Sequence, residues 1–233
     1  MKKRAMILAA GTGTRLLPLT ENKPKALIEY RGKTLLEIVL RRLIHHGFRD
    51  VVINIHHFPE QIVSFIESKK NFGINIRFSD ESDLLLDTGG GIKNSSGLFE
   101  GDPVLIHNVD IYTDLNLEEL YNFHNDFEHL ATFAVKERET SRPFLMNDSN
   151  ILCGWQNLES GEKKLTRDSS PLRQIAYSGI AMLSPEFIEM MPPVSVYSLT
   201  PALLEISRTN EIQLFEHYGA WKDMGKPSAF AKE

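Results

Sequence analysis

A single cysteine, Cys153, stands among the 233 residues, so no intramolecular disulfide can form and a disulfide-stapled secreted scaffold is excluded. Beside Gly154-Trp155 it reads as a small apolar packing residue. Long apolar runs are missing as well. The stretch after Lys2-Lys3-Arg4 ends within seven residues, too short for a secretory signal or a membrane span. The expected setting is the cytoplasm, with no membrane partner. An excess of positive charge is also lacking: the net charge is -5, and a nucleic-acid partner would call for a broad basic surface. No long linker, repeat or low-complexity tract divides the chain. One domain over 1–233 is expected, in a monomer or small homo-oligomer, with 42% hydrophobic residues to build one sizeable core.

The charge that is present is unevenly placed. Residues 1–33 carry eight Lys or Arg against Glu21 and Glu29, a local balance of +6, so the remaining 200 residues sum to -11. Lys2, Lys3 and Arg4 read as a solvated terminus. The rest of this basic segment holds the run from Leu8 to Thr20, LAAGTGTRLLPLT, closed by Pro24-Lys25-Ala26-Leu27. It follows a short apolar strand and reads as a cradle for a triphosphate. Gly11 and Gly13 let backbone N–H groups approach phosphate oxygens, and Arg15 and Lys25 add positive charge. Two commoner glycine loops are excluded by spacing. A dinucleotide fingerprint needs a third glycine where Leu16 stands, and a Walker loop needs one at Leu27.

Along the chain, strands alternate with helices, which argues for parallel strand pairing through helical crossovers. Strands are expected at 3–10, 50–55, 75–78 and 103–107. The helix at 34–46 starts on a capping box, Thr34 with Glu37, and exits at Gly47. A second helix covers 59–69, and a third is capped by Asn116. A short helix begins near Thr88. Beyond Leu130 several short strands succeed one another. Ser184-Pro185 and Thr200-Pro201 each place a capping residue before proline at a first helical position, and 212–216 returns as a strand. The expected fold is a nucleotide-binding, Rossmann-like α/β sandwich of three layers, with a mostly parallel mixed sheet and a small β-rich extension. Ligands are expected at the carboxyl ends of its parallel strands.

The string G-x-G-T-R-L-x-P-L-T with P-K-x-L resembles the signature of the sugar-1-phosphate nucleotidyltransferases, carried here by Gly11, Gly13, Arg15 and Lys25. The resemblance runs through the whole chain. Thr88-Gly89-Gly90-Gly91, His107-Asn108-Val109-Asp110, Tyr177-Ser178-Gly179-Ile180 and Trp221-Lys222-Asp223-Met224-Gly225 follow in the family's order and spacing. The short, single-domain uridylyltransferase type that acts on N-acetylmuramate 1-phosphate fits best, since it also carries T-G-G-G. Guanylyltransferases of mannose or heptose 1-phosphate are the close alternative, so the base stays open between UTP and GTP.

That resemblance implies transfer of a nucleotidyl group from a nucleoside triphosphate to a sugar 1-phosphate, with release of pyrophosphate. It implies a nucleotide-binding half at about 1–128 and a sugar-phosphate-binding half at about 129–233, the β-rich extension covering the acceptor side. The nucleotide would meet Leu8, Ala10, Gly11, Gly13, Thr14, Arg15, Lys25, Thr88 and Gly89. Asn108, Ser178 and Gly179 match positions that face the sugar. Arg15, Lys25 and Asp110 would be catalytic, and Asp110 and Asp223 would hold Mg²⁺. Mg²⁺ suits this chemistry because it takes one or two carboxylates plus phosphates and water. The Glu-Lys-Pro segment of larger members is missing, and Arg142 is the expected substitute cation. Val109 stands where relatives have a small residue, and Lys226 where they have threonine.

Other readings compete. The family's fold also occurs as regulatory subunits without catalysis, but the full charged set of Arg15, Lys25, Asp110 and Asp223 favours an enzyme. A cytidylyltransferase of choline phosphate would need an aromatic cage, and Trp155, Tyr177 and Tyr197 form no evident cluster in sequence. His56-His57 lacks a third metal ligand, His107 reads as structural, and Ser178 lacks the surroundings of a hydrolase nucleophile.

Overall fold

The computed structural model describes residues 2–230. The apolar run after the N-terminal basic residues forms β1 (Arg4–Leu8), buried until Leu8. The glycine loop follows, with 3-10 turns at Thr14–Leu16 and Lys25–Leu27. A ribbon of β2 (Glu29–Tyr30) and β3 (Lys33–Thr34) leads into α1 (Leu35–His45), then β4 (Asp50–Ile55), α2 (Pro59–Ser68) and β5 (Asn75–Asp80). The cap of α1 is the expected one: Thr34 Oγ1 accepts from the Glu37 N–H at 3.1 Å. Next come α3 (Asp87–Asn94), β6 (Val104–Asn108), β7 (Ile111–Thr113) and α4 (Leu117–Asp126). Asn116 caps α4, its Oδ1 accepting from the N–H groups of Glu118 and Glu119 at 3.1 and 3.3 Å.

The later part holds β8 (Ala131–Lys136), β9 (Phe144–Met146), β10 (Leu152–Gln156), β11 (Lys163–Leu165) and the long β12 (Arg173–Leu183). It ends with α5 (Pro185–Met190), α6 (Leu199–Ile206), β13 (Gln213–Glu216) and β14 (Trp221–Asp223). Ser184 caps α5 ahead of Pro185, accepting from the Phe187 N–H at 3.1 Å. Helix α6 departs from expectation by starting at Leu199, which puts Pro201 in its first turn. No helical acceptor awaits an N–H there, so proline costs nothing. The N–H of Leu199 instead donates to Thr88 Oγ1 at 2.9 Å.

The central sheet runs β5-β4-β1-β6-β12-β8-β13, and β12 is its one antiparallel member. The first half of β12 leaves this sheet to pair β9, beyond which β10 and β11 continue antiparallel as the β-rich extension. The register shifts between Tyr177 and Ala181, where Gly179 takes φ 77°. Such an irregularity bends a strand and re-aims its side chains. Helices cover both faces, giving three layers. Ala5 and Ile7 pack with Leu36 and Leu40 of α1 on one face, while Met6 packs with Phe133 and Phe187 on the other.

One terminal residue is not solvated as expected. Arg4 is buried, held by Asp50 at 3.2 Å, Asp102 at 2.9 Å and Glu100 at 2.5 Å. It sits on a central strand, where an unpaired guanidinium would carry a large desolvation cost.

Candidate active site

In the sheet, β4 flanks β1 on one side and β6 on the other, so the chain switches direction at β1. A crevice opens there at the carboxyl ends of the strands. Register pairing sets Leu8 between Asn54 and Asn108. A cleft of about 350 Å³ lies at this point. Of the residues expected to hold a nucleotide, Leu8, Ala10, Gly11, Lys25 and Thr88 line it, and Asn108 and Asp110 join them.

The loop after β1 is fixed by a residue the sequence reading passed over. Asn54, 3% exposed, accepts the N–H of Ala9 at 2.7 Å and donates to Glu81 at 2.7 Å. Glu81 in turn accepts the Leu86 N–H at 3.0 Å, tying the loop to the segment that enters α3. Gly13 has φ 68°, and a Cβ there would lie 2.9 Å from Thr20 Cγ2, so shape and conformation both require glycine. Gly13, Thr14 and Arg15 lie in this loop beside the cleft rather than on its wall, and Thr14 and Arg15 are exposed.

The glycine triplet is closely packed. A Cβ at Gly89 would stand 2.5 Å from the Tyr197 ring, one at Gly90 would meet the Ser195 carbonyl oxygen, and one at Gly91 would stand 2.6 Å from Glu81 Oε1. The N–H of Gly89 donates to Tyr197 O at 3.0 Å. Gly89 and Gly90 let α3 pack against the 195–197 segment, and Gly91 lets it approach Glu81 and Asn54. Of Thr88 and Gly89, Thr88 lines the cleft.

The two distant aspartates meet through a short ribbon. β14 pairs β7 antiparallel with Asp223 opposite Ile111, and the Met224 N–H donates to Asp110 O at 2.8 Å. Gly225 closes the arrangement. A Cβ at Gly225 would lie 2.7 Å from Asp110 Oδ2, 2.9 Å from Asp223 Oδ1 and 2.9 Å from Arg15 Nη2. Two carboxylate oxygens and a guanidinium thus surround one point that only a missing side chain keeps open. Lys25 Nζ donates to Asp110 Oδ2 at 2.8 Å. Lys226, exposed, reaches only 3.9 Å from Asp223. Among the described residues no group of three or more His, Cys, Asp or Glu could hold a metal ion. Two carboxylates around an open cradle nevertheless fit Mg²⁺, which draws its remaining ligands from phosphates and water.

A second, larger cavity of about 600 Å³ lies over the β-rich extension and α6. Arg142, exposed, lines it as expected of a cation on the acceptor side, and so does Arg138. The Arg138 guanidinium lies 3.8 Å from the Trp221 ring centroid and donates to Tyr177 O at 2.7 Å. Burial lowers its pKa from the usual arginine value, and the Asp223 carboxylate opposes that shift. Trp221 donates from Nε1 to Ser178 O at 2.9 Å. Arg138 therefore stacks on the strand that carries Asp223.

Ser178 and Gly179 do not face either cavity. The bulge in β12 turns the Ser178 side chain inward, where its hydroxyl meets His217 Nε2 at 2.8 Å and is fully buried. Gly179 packs on the Asn108 amide, at 3.2 Å from a built Cβ to Nδ2. Both therefore shape the site from behind. His107 is buried, with Nδ1 2.8 Å from Asn108 O, and Cys153 is buried in the core. Missed in sequence were Asn54, Glu81 and Arg138. Only Asn54 left a signal, a polar residue between Ile53 and Ile55 in a buried strand.

The family model of the nucleotidyl transferases matches residues 4–144. The chain is 31% identical over 230 residues to an N-acetylmuramate alpha-1-phosphate uridylyltransferase of Neisseria meningitidis, covering 95% of this chain and 93% of that protein. It is 30% identical over 237 residues to the protein of the same name from Caulobacter vibrioides, covering 97% and 93%. The fold superposes on that of HddC from Yersinia pseudotuberculosis, crystallised with GMP-PN, with TM-score 0.79 and 20% identity over 97% of this chain and 96% of that one.

Proposed function

The chain belongs to the nucleotidyl transferase family, and from that premise we propose that it transfers a uridylyl group from UTP to N-acetylmuramate 1-phosphate. Its coarser activity is that of a sugar-1-phosphate nucleotidyltransferase, which forms an NDP-sugar. The observation that carries the mechanism is the convergence of Asp110, Asp223 and Arg15 on the Gly225 cradle, with Lys25 bonded to Asp110.

A phosphate oxygen of the sugar 1-phosphate attacks the α-phosphorus, a new P–O bond forms, and the bond to the bridging oxygen of the β-phosphate breaks. Pyrophosphate leaves with the electron pair. The attacking group is already an anion, so no protein nucleophile or base is needed, and catalysis reduces to alignment and charge compensation. Asp110 and Asp223 would hold Mg²⁺, which when bound supplies positive charge to the reacting phosphates. Arg15 holds the departing phosphates, and Lys25 neutralises charge at the reacting end. The loop anchored by Asn54 presents the backbone around Gly11, and Thr88 closes the opposite side of the nucleotide cleft. Arg138 and Arg142 lie on the acceptor side.

The chain acts as one domain, residues 1–128 presenting the nucleotide and 129–233 the acceptor, since β12 pairs with β6 of the first part and β8 and β9 of the second. No helix among the described residues is long and apolar enough to cross a membrane; a nucleoside triphosphate substrate supports a cytoplasmic setting. The test is pyrophosphate release from UTP, GTP, CTP and ATP, each paired with N-acetylmuramate, glucose, N-acetylglucosamine, mannose and heptose 1-phosphates. The expected signal is UTP with N-acetylmuramate 1-phosphate. A signal confined to GTP would move the chain to the guanylyltransferases, and silence throughout would remove the catalytic reading.

A further inference from the structure

The larger cavity holds more positive charge than a sugar 1-phosphate requires. Arg138, Arg142, Lys164 and Arg208 line it, and Glu205 is the one carboxylate among them. Glu205 is already engaged, at 2.9 Å from Arg208 Nε. Arg138 belongs to the reacting end, because it stacks on Trp221 of the strand that carries Asp223. That leaves Arg142 and Lys164. The Arg142 guanidinium makes no hydrogen bond or ion pair with any described residue; only its backbone N–H is used, by Thr140 Oγ1. Lys164 pairs with Glu162 at 3.1 Å with both side chains about half exposed, a surface contact that yields readily to another anion.

Lys164 stands away from the phosphate end. β11, which carries Lys164, is separated from β12 by β10 and β9, a span of about 14 Å at the usual strand spacing. Between lies an apolar platform. Trp155 and Tyr177, both partly exposed, form it: Trp155 sits opposite Lys164 in the strand register, and Tyr177 is backed by the buried Phe144, with ring centroids 5.7 Å apart. A sugar ring can lie on such a surface by its C–H face while its substituents reach the rim. A neutral hexose would leave Arg142 facing it with no countercharge and Lys164 with only the surface carboxylate of Glu162.

We propose that Arg142 and Lys164 form a second anion subsite, which selects acceptor sugars carrying a carboxylate in addition to the 1-phosphate. This rests on the nucleotidyltransferase reading above and specifies its acceptor class. A planar guanidinium matches a carboxylate with two parallel N–H···O bonds, which makes Arg142 the discriminating group. Lys164 adds charge without that geometry.

The test compares two acceptors that differ by one lactyl carboxylate, N-acetylmuramate 1-phosphate and N-acetylglucosamine 1-phosphate. The readout is the ratio of their kcat/KM values in the wild type and in Arg142→Gln, Lys164→Gln and Arg142→Lys. The wild type should favour the acidic acceptor, and Arg142→Gln should cut that ratio by about tenfold to a hundredfold through the KM for the acidic sugar. Arg142→Lys should recover part of the loss, and Lys164→Gln should lose less than Arg142→Gln. The subsite is overturned if the wild type uses both sugars equally well, or if Arg142→Gln lowers both in proportion. Those outcomes are distinct from failure of the underlying reading, in which no triphosphate and sugar pair releases pyrophosphate at all.

Discussion

At Gly225 a single methyl group would occupy the space around which Asp110, Asp223 and Arg15 are arranged, at 2.7 to 2.9 Å from all three. Gly225→Ala should therefore lower turnover on the order of a hundredfold while leaving the thermal unfolding midpoint within a few degrees, because its effect falls on the cradle rather than the core. Near-normal turnover would show that nothing needs that space. Asp110→Asn, Arg15→Ala and Lys25→Ala should each cost on the order of a hundredfold or more in kcat/KM, as groups acting on transition-state charge do. Lys25→Ala carries a second consequence. Asp110 is 7% exposed and loses its cation, so this variant should also unfold at lower denaturant than Arg15→Ala, whose side chain is exposed. Steady-state kinetics beside urea unfolding of the three variants separates the two effects.

The elements owe their placement to residues whose work is packing as much as contact with substrate. Gly90→Ala would drive a Cβ into the Ser195 carbonyl oxygen, which is backbone and cannot rotate away. It should destabilise the fold by about 3 kcal/mol or more, read as a shift of the urea midpoint, whereas Gly97→Ala, with nothing near its built Cβ, should not. Equal midpoints would mean that α3 can move off the 195–197 segment without cost. This glycine triplet also marks the limit of what the sequence could tell. Its position at a helix entry was readable, but the partner it packs against lies about a hundred residues further on, and no local pattern reports that. Strand β4 was legible to its bounds because its six residues are continuously buried, as were the caps at Thr34, Asn116 and Ser184. The ribbon of β7 and β14 was not, since three-residue strands are too short to show a period. It is that ribbon which brings Asp223 beside Asp110. The pairing of the two aspartates was thus available only through family resemblance. The inward turn of the Ser178 side chain was not legible for a related reason: the bulge at Gly179 breaks the alternation from which a side chain's direction is read.

For the molecule as a whole, folding removes several histidines from water, and this sets how stability responds to acid. Burial pushes His107 and His124 from the usual 6.5 down to about 4, and burial lowers His46, His129 and His217 in the same direction. Between pH 6.5 and 4 the unfolded chain binds protons at His107 and His124 that the folded chain refuses, so stability is full above this window and falls as pH drops through it. Each such histidine contributes a slope of up to about 1.4 kcal/mol per pH unit, so the pair alone gives about 2.7. Carboxylates act elsewhere. Glu216, hydrogen-bonded by Arg173, and Glu100, hydrogen-bonded by Arg4, are held below their usual range, so their contribution is lost only at more acidic pH. Urea unfolding at pH 7.5, 6 and 5 should show the midpoint falling steadily in a range where carboxylates are still ionised. His124→Gln, which keeps a side chain able to reach Thr132, 3.0 Å from the native Nδ1, should flatten the dependence by about one histidine's share. A midpoint constant from pH 7.5 to 5 would mean that the buried imidazolium ions find hydrogen-bond acceptors or water in the folded chain, and the core around β6 and α4 would then have to open more easily than its packing implies.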